Sequence, residues 1–220
     1  MAAVYFTNRI HAGQQLADTF THAIDHTMTT VVSLSTEAVL VAAQVATKFS
    51  CPLQLYLSEA IALPGNEVVG GINQDGNFTY SSDLGTGFGE YYAQDYRGYL
   101  EEAKRTTFSA INRELGSKEI IRNDLLKGRH IIVVADCLDK SAQLDSFISF
   151  LKTISYKKLT FCSPILMTNL ISHVEQKCDD FQYIGNIEFF YGADHYFEDN
   201  TVVGREQAID SISRALKLWR

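Results

Sequence analysis

His130-Ile131-Ile132-Val133-Val134-Ala135-Asp136-Cys137-Leu138-Asp139-Lys140-Ser141-Ala142-Gln143 decides the fold. A continuous apolar run that ends on an acid is the pattern of a central parallel strand covered on both faces. The residues after it return to helical spacing through Leu144, Phe147, Ile148 and Leu151 over 141–153, so strand, loop and helix follow in order. Asp136 closes the strand and Asp139, Lys140 and Ser141 form the entrance to the helix. In an open parallel sheet ligands bind beyond the carboxyl ends of the strands, so this junction is the first place to look for chemistry.

The same alternation extends outward in both directions. Thr30 to Leu34 is a short β-branched run, Ala38 to Phe49 has helical period, and Leu53 to Leu57 begins a second strand after Pro52. That is one βαβ unit, which predicts parallel pairing. Ile10, Gly13, Leu16, Ala17, Phe20 and Ile24 predict a helix over residues 9 to 25. Glu67 to Ile72 and Asn77 to Ser81 flank Asn73-Gln74-Asp75-Gly76, whose Asp-Gly suits a hairpin turn outside the main sheet. Gly85, Gly87 and Gly89 mark a loop, and a charged helix is expected from Gln94 to Leu115. Leu159 to Cys162 and Ile184 to Phe190 read as two further strands, and Glu206 to Trp219 as a closing amphipathic helix. The expected class is α/β, a doubly wound and mainly parallel sheet in one domain.

Composition narrows the function classes. The chain has 220 residues, 46% of them hydrophobic, and a net charge of −7, which supports a sizeable core and argues against a nucleic-acid partner. Cys51, Cys137, Cys162 and Cys178 form no CxxC pair, so no zinc site or redox dithiol is expected, and they read as reduced thiols. No apolar window is long enough for a membrane span and no leader pattern opens the chain, so a cytoplasmic protein is expected. His22 and His26 lie four apart, but Ala23 stands where a metalloprotease helix carries Glu, and they read as surface or packing residues.

The sequence resembles the type I phosphoribosyltransferases, in particular a branch of small bacterial proteins, nearly end to end. Asn8-Arg9-Ile10-His11-Ala12-Gly13-Gln14-Gln15-Leu16-Ala17 is similar to that branch's opening Asp-Arg-x-x-Ala-Gly-x-x-Leu-Ala. Glu67-Val68-Val69-Gly70-Gly71 resembles its hood strand, and Phe161-Cys162-Ser163-Pro164 resembles its Ala-Ala-Pro strand end. Phe189-Phe190-Tyr191-Gly192 with Tyr196-Phe197-Glu198-Asp199 resembles its tail. The resemblance implies a type I phosphoribosyltransferase fold over residues 1–220, with a small hood near 66–100.

It also implies an activity: transfer of the ribosyl phosphate of phosphoribosyl pyrophosphate, with Mg²⁺, to a base or amine. In such a site Asp136 positions the ribose, Lys140 and Ser141 hold the 5′-phosphate, Thr36 belongs to the pyrophosphate loop, and Arg9 reaches the ligand or forms an ion pair with a hood acid such as Glu67. The loops depart from the family pattern. The acidic pair becomes Ala135 and Asp136, the loop Thr-Gly-x-Thr becomes Lys140 to Gln143, and Arg-Gly-Gly becomes Thr36-Glu37-Ala38. Glu37 places negative charge beside the polyanion, and Asp139 is expected to cap the following helix and fill the electropositive site. The reading is therefore a phosphoribosyltransferase-like protein with catalysis lost or much weakened, working as a binding or interaction module. The alternative is an active transferase. No protein metal site is expected, and Mg²⁺ enters only with the active alternative. The expected partners are a phosphorylated small molecule and a protein or second copy meeting the hood tyrosines, Tyr91, Tyr92, Tyr96 and Tyr99.

Overall fold

The computed structural model describes residues 5–21, 23–65, 67–84, 95–115 and 121–201. The expected helix from Glu206 to Trp219, the Gly85 to Gly89 loop, His22, Tyr91 and Tyr92 lie outside them. In chain order the helices are α1 (Arg9–Asp18), α2 (Val39–Phe49), α3 (Arg97–Leu115), α4 (Ala142–Leu151) and α5 (Ile171–Lys177). The strands are β1 (Thr29–Ser33), β2 (Leu53–Leu55), β3 (Ser58–Ala62), β4 (Val68–Asn73), β5 (Phe78–Tyr80), β6 (His130–Val134), β7 (Cys137–Leu138), β8 (Lys158–Met167) and β9 (Asp180–Ile187). Two compact units result: Met1–Leu55 with Ile121–Asp139 and Ile154–Arg220, and Tyr56–Ile120 with Lys140–Thr153.

The first unit is built on a six-stranded sheet in which every pairing among the described strands is parallel. β1 lies between β2 and β6, and β8 pairs with β6, β7 and β9. The apolar run predicted to be central is central: Ile131 to Val134 are fully buried, and β6 pairs with β1 from Thr29↔His130 to Ser33↔Val134. β7 continues along β8 where β6 stops, pairing Cys137↔Ile165 and Leu138↔Leu166. That continued pairing carries β8 well past Cys162, through Pro164, which has no N–H to donate.

Two further boundaries differ from the periodicity, and one strand is added. α1 stops at Asp18, where the Thr19 hydroxyl donates back to the Leu16 carbonyl. β9 begins at Asp180 and ends at Ile187, because its partner β8 has no residue beyond Met167 to pair with. β3 is an added strand whose Ser-Glu-Ala-Ile-Ala sequence carries little alternation. At the start of the chain, Asn8 accepts the His11 amide at 2.8 Å and caps α1. A Cβ on Gly13 would lie 2.7 Å from the Val41 carbonyl oxygen, so that glycine serves the close approach of α1 and α2.

The second unit is an antiparallel sheet, β3-β4-β5, with α3 and α4 packed on it. Asn73 organises the expected turn, its side-chain oxygen accepting the amides of Asp75 and Asn77. Tyr56 and Phe147 meet edge to face at 5.0 Å, and the Tyr56 hydroxyl bonds Ser146 at 2.9 Å. α4 therefore belongs to the unit that contains the hairpin, although the strand before it belongs to the other.

Candidate functional site

Strand order reverses at β1, with β2 on one side and β6 on the other, so the carboxyl ends of β1 and β6 form the crevice where this topology places ligands. Leu34 N–H joins the two ends by donating to the Val134 carbonyl at 3.0 Å. The loop after β1 carries internal hydrogen bonds of its own. The Ser33 hydroxyl donates to the Ser35 carbonyl at 2.7 Å, Ser35 Oγ accepts the Ala38 amide at 3.1 Å, and the Thr36 carbonyl accepts the Val39 amide at 3.3 Å. Thr36 is half-buried and Glu37 is exposed.

Asp136, at the end of β6, is buried and bonded through both carboxylate oxygens. Arg9 Nε donates to Oδ2 at 3.0 Å, and the Cys137 amide donates to Oδ1 at 3.0 Å. Arg9 Nη2 donates to Asp194 at 3.1 Å, and the guanidinium lies 4.5 Å from the centre of the Phe197 ring. Nη1 of this buried arginine has no partner among the described residues. The ion pair foreseen for Arg9 is present, but its acids are Asp136 and Asp194 in place of Glu67.

Burial pushes the Asp136 carboxyl above its ordinary range, opposed by Arg9 and reinforced by the charge of Glu37. Burial, then Asp136 and Asp139, likewise raise the Cys137 thiol far above the reactive range. Mg²⁺ fits poorly at Asp136, because the Arg9 guanidinium 3.0 Å from Oδ2 already compensates the carboxylate charge and would repel a second cation. Among the described residues no group of three or more His, Cys, Asp or Glu is arranged to hold a metal ion.

In the second unit the entrance to α4 carries its own anions. Asp83 Oδ2 accepts the Ser141 amide at 3.0 Å, and Asp145 Oδ2 accepts the Ser82 amide at 2.9 Å. The Ser81 and Ser141 hydroxyls bond each other at 2.9 Å, and the Ser81 hydroxyl also reaches Asp83 at 3.3 Å. Ser141 is buried and Lys140 is exposed. The carboxylate seen on the Ser141 amide is thus that of Asp83, where the sequence suggested Asp139.

Of the residues singled out from sequence, Arg9 and Asp136 are brought together in the first unit, while Lys140 and Ser141 belong to the second. Asp83, Asp145 and Asp194 escaped the sequence reading. Asp194 meets Arg9 across 185 residues, and nothing local marks it. Asp145 carried a usable signal, an acid in the first turn of a helix.

No family model matches the sequence, and no curated protein matches it. Solved structures do match. That of TT1426 from Thermus thermophilus gives a TM-score of 0.72 at 18% identity, over 96% of this chain and 98% of that one. A purine phosphoribosyltransferase from Pyrococcus horikoshii gives 0.47 at 12% identity, over 86% and 91%. A hypothetical protein from Neisseria gonorrhoeae with bound ppGpp gives 0.47 at 9% identity, over 99% and 95%. The likeness to TT1426 is one of fold. The chain has an α/β fold with a mainly parallel sheet, the fold it shares with TT1426.

Proposed function

We propose that this chain is a phosphoribosyltransferase-like protein whose catalytic activity is lost or much weakened, and that it works as a binding or interaction module. In this reading residues 1–220 act as one domain with a hood around 66–100, in the cytoplasm, and the ligand side is a phosphorylated small molecule. Among the described residues no helix is long and apolar enough to cross a membrane.

The observation that carries the reading is the Asp83 carboxylate on the Ser141 amide. In the resembled family that amide belongs to the loop that cradles the 5′-phosphate, and here it already holds an anion. Asp136 supports the same conclusion, since it is buried and already bonded to Arg9 and the Cys137 amide, a structural role for the acid that would position ribose. Losing three charge-assisted hydrogen bonds at ~1.5 kcal/mol each removes ~4.5 kcal/mol, roughly three decades of affinity.

The second reading is an active transferase acting on a base or amine with Mg²⁺, favoured by an acid at the end of a buried strand and by the exposed Lys140. There Asp136 positions ribose, Lys140 and Ser141 hold phosphate, and Thr36 and Arg9 line the approach. Calorimetric titration with phosphoribosyl pyrophosphate and Mg²⁺ separates the two. Neither heat nor thermal shift at millimolar ligand is the expected result. Micromolar binding that weakens in Lys140→Ala and disappears in Asp136→Ala overturns the proposal.

A further inference from the structure

The segment after β9 reads Glu188-Phe189-Phe190-Tyr191-Gly192-Ala193-Asp194-His195-Tyr196-Phe197-Glu198-Asp199, with five aromatic residues and four acids but no Lys or Arg. One side of it is sunk into the first unit, where Tyr196 and Phe197 pack with Phe6, Ala12, Cys137 and Ile165. The other side carries exposed rings. Phe189 is 69% exposed, Tyr191 71% and Tyr5 56%.

These rings are grouped and held. Tyr191 and Tyr5 lie 5.3 and 5.6 Å from the His195 ring, and the Tyr5 hydroxyl bonds His195 Nε2 at 2.9 Å. The Tyr196 hydroxyl donates to the Phe189 carbonyl at 3.0 Å and fixes the backbone beneath the exposed pair. Gly192 turns the chain at a φ of +97°, which a side chain rarely adopts. Scattered exposed apolar residues need no explanation, but Tyr5, Tyr191 and His195 form a group on a held backbone, with the exposed Phe189 two residues before Tyr191, and such a group points to an interaction site.

Charge selects the occupant. Glu188, Asp194, Glu198 and Asp199, all within the same twelve-residue segment as Phe189, Tyr191 and His195, are exposed. A second copy brought up by a two-fold axis would set these acids against one another. A flat cation suits both features, because a guanidinium stacks on aromatic faces and bonds carboxylates with its edge. The same pairing is already used inside the protein, where Arg9 lies on Phe197 and bonds Asp194.

We propose that the surface formed by Tyr5, Phe189, Tyr191 and His195 docks an arginine-bearing segment of a partner protein. It stands whether or not the strand-end crevice turns over a substrate. The test is fluorescence anisotropy of a labelled peptide of three Gly-Arg-Pro repeats with the full chain, beside matched peptides carrying lysine or citrulline for arginine. The arginine peptide is expected to bind at millimolar affinity or better in near-physiological salt, the lysine peptide several-fold more weakly, and the citrulline peptide not at all. Phe189→Ser with Tyr191→Ser, both at exposed positions, is expected to weaken the arginine peptide by about tenfold. Glu188→Lys should weaken it too, while Glu101→Gln with Glu102→Gln on α3 leaves it unchanged. Absence of binding, equal affinity for arginine and lysine, or an undiminished affinity in the Phe189/Tyr191 double variant overturns the proposal.

Discussion

Asp83 and Ser141 are 58 residues apart in sequence, and the carboxylate of one accepts the backbone amide of the other at 3.0 Å. A helix N-terminus presents unpaired N–H groups and partial positive charge, and here the protein supplies the anion itself. Asp83→Ala removes it. The variant should lose about 1 kcal/mol of stability, as for other lost caps. Under the proposed function it should also show a thermal shift with phosphoribosyl pyrophosphate that the parent lacks. Denaturant titration and thermal shift read the two effects separately, and a parent that responds to the ligand as strongly as the variant contradicts the idea of a filled site.

Arg9 answers a different question, whether the acid at the end of β6 is held for structure. Arg9→Met leaves Asp136 buried with no cation beside it, and breaking a buried pair on one side costs about 3 to 5 kcal/mol. Arg9→Lys should rescue little, because a single ammonium cannot bond Asp136 and Asp194 through separate nitrogens while lying on Phe197. Adding Asp136→Asn to Arg9→Met should recover part of the loss. Urea unfolding of these three variants and of Asp136→Asn alone checks this, and additive single losses would show that the two side chains are not coupled.

Much of this was legible because it is written in local pattern. The run from Ile131 to Val134 placed β6 at the centre of the sheet, and Asp75-Gly76 placed the hairpin turn. The site was harder to read. Alignment to a motif located Asp136 and Ser141, but their partners are Arg9, 127 residues away, and Asp83, 58 residues away. Pairings at that separation leave no spacing rule in the sequence. Gly13 shows the converse, a residue of the resembled opening motif whose task is helix packing against Val41.

Cys137 sits beside the candidate site yet should be inert. Burial and the charges of Asp136 and Asp139 hold its thiol well above its ordinary range, and Arg9 offsets this only in part. Alkylation by iodoacetamide at pH 8 should therefore be slow in the native protein and fast in denaturant. Cys51 and Cys178, both pushed up to about 12 by burial, should behave alike. Rapid native modification at Cys137 would mean that the end of β6 opens to solvent.

His130 predicts how stability depends on pH. Its ring bonds the Thr160 hydroxyl at 2.8 Å, and burial, then Lys158, lowers its pKa from 6.5 to about 4, with Asp180 and Asp179 opposing and Lys157 adding to the shift. The unfolded chain therefore takes up this proton near pH 6.5 while the folded chain does so only near 4. Between those values the unfolded state binds more protons, so stability falls as the pH is lowered through 6.5 and the loss is complete below about 4. The ring is partly open to solvent, so the effect should be about 1 to 2 kcal/mol, less than the full shift implies. His130→Gln keeps a polar group for Thr160 but cannot titrate. Its unfolding free energy, measured in urea between pH 7 and 4, should decline less steeply than the parent's. Parallel curves for the two proteins would place the pH dependence elsewhere.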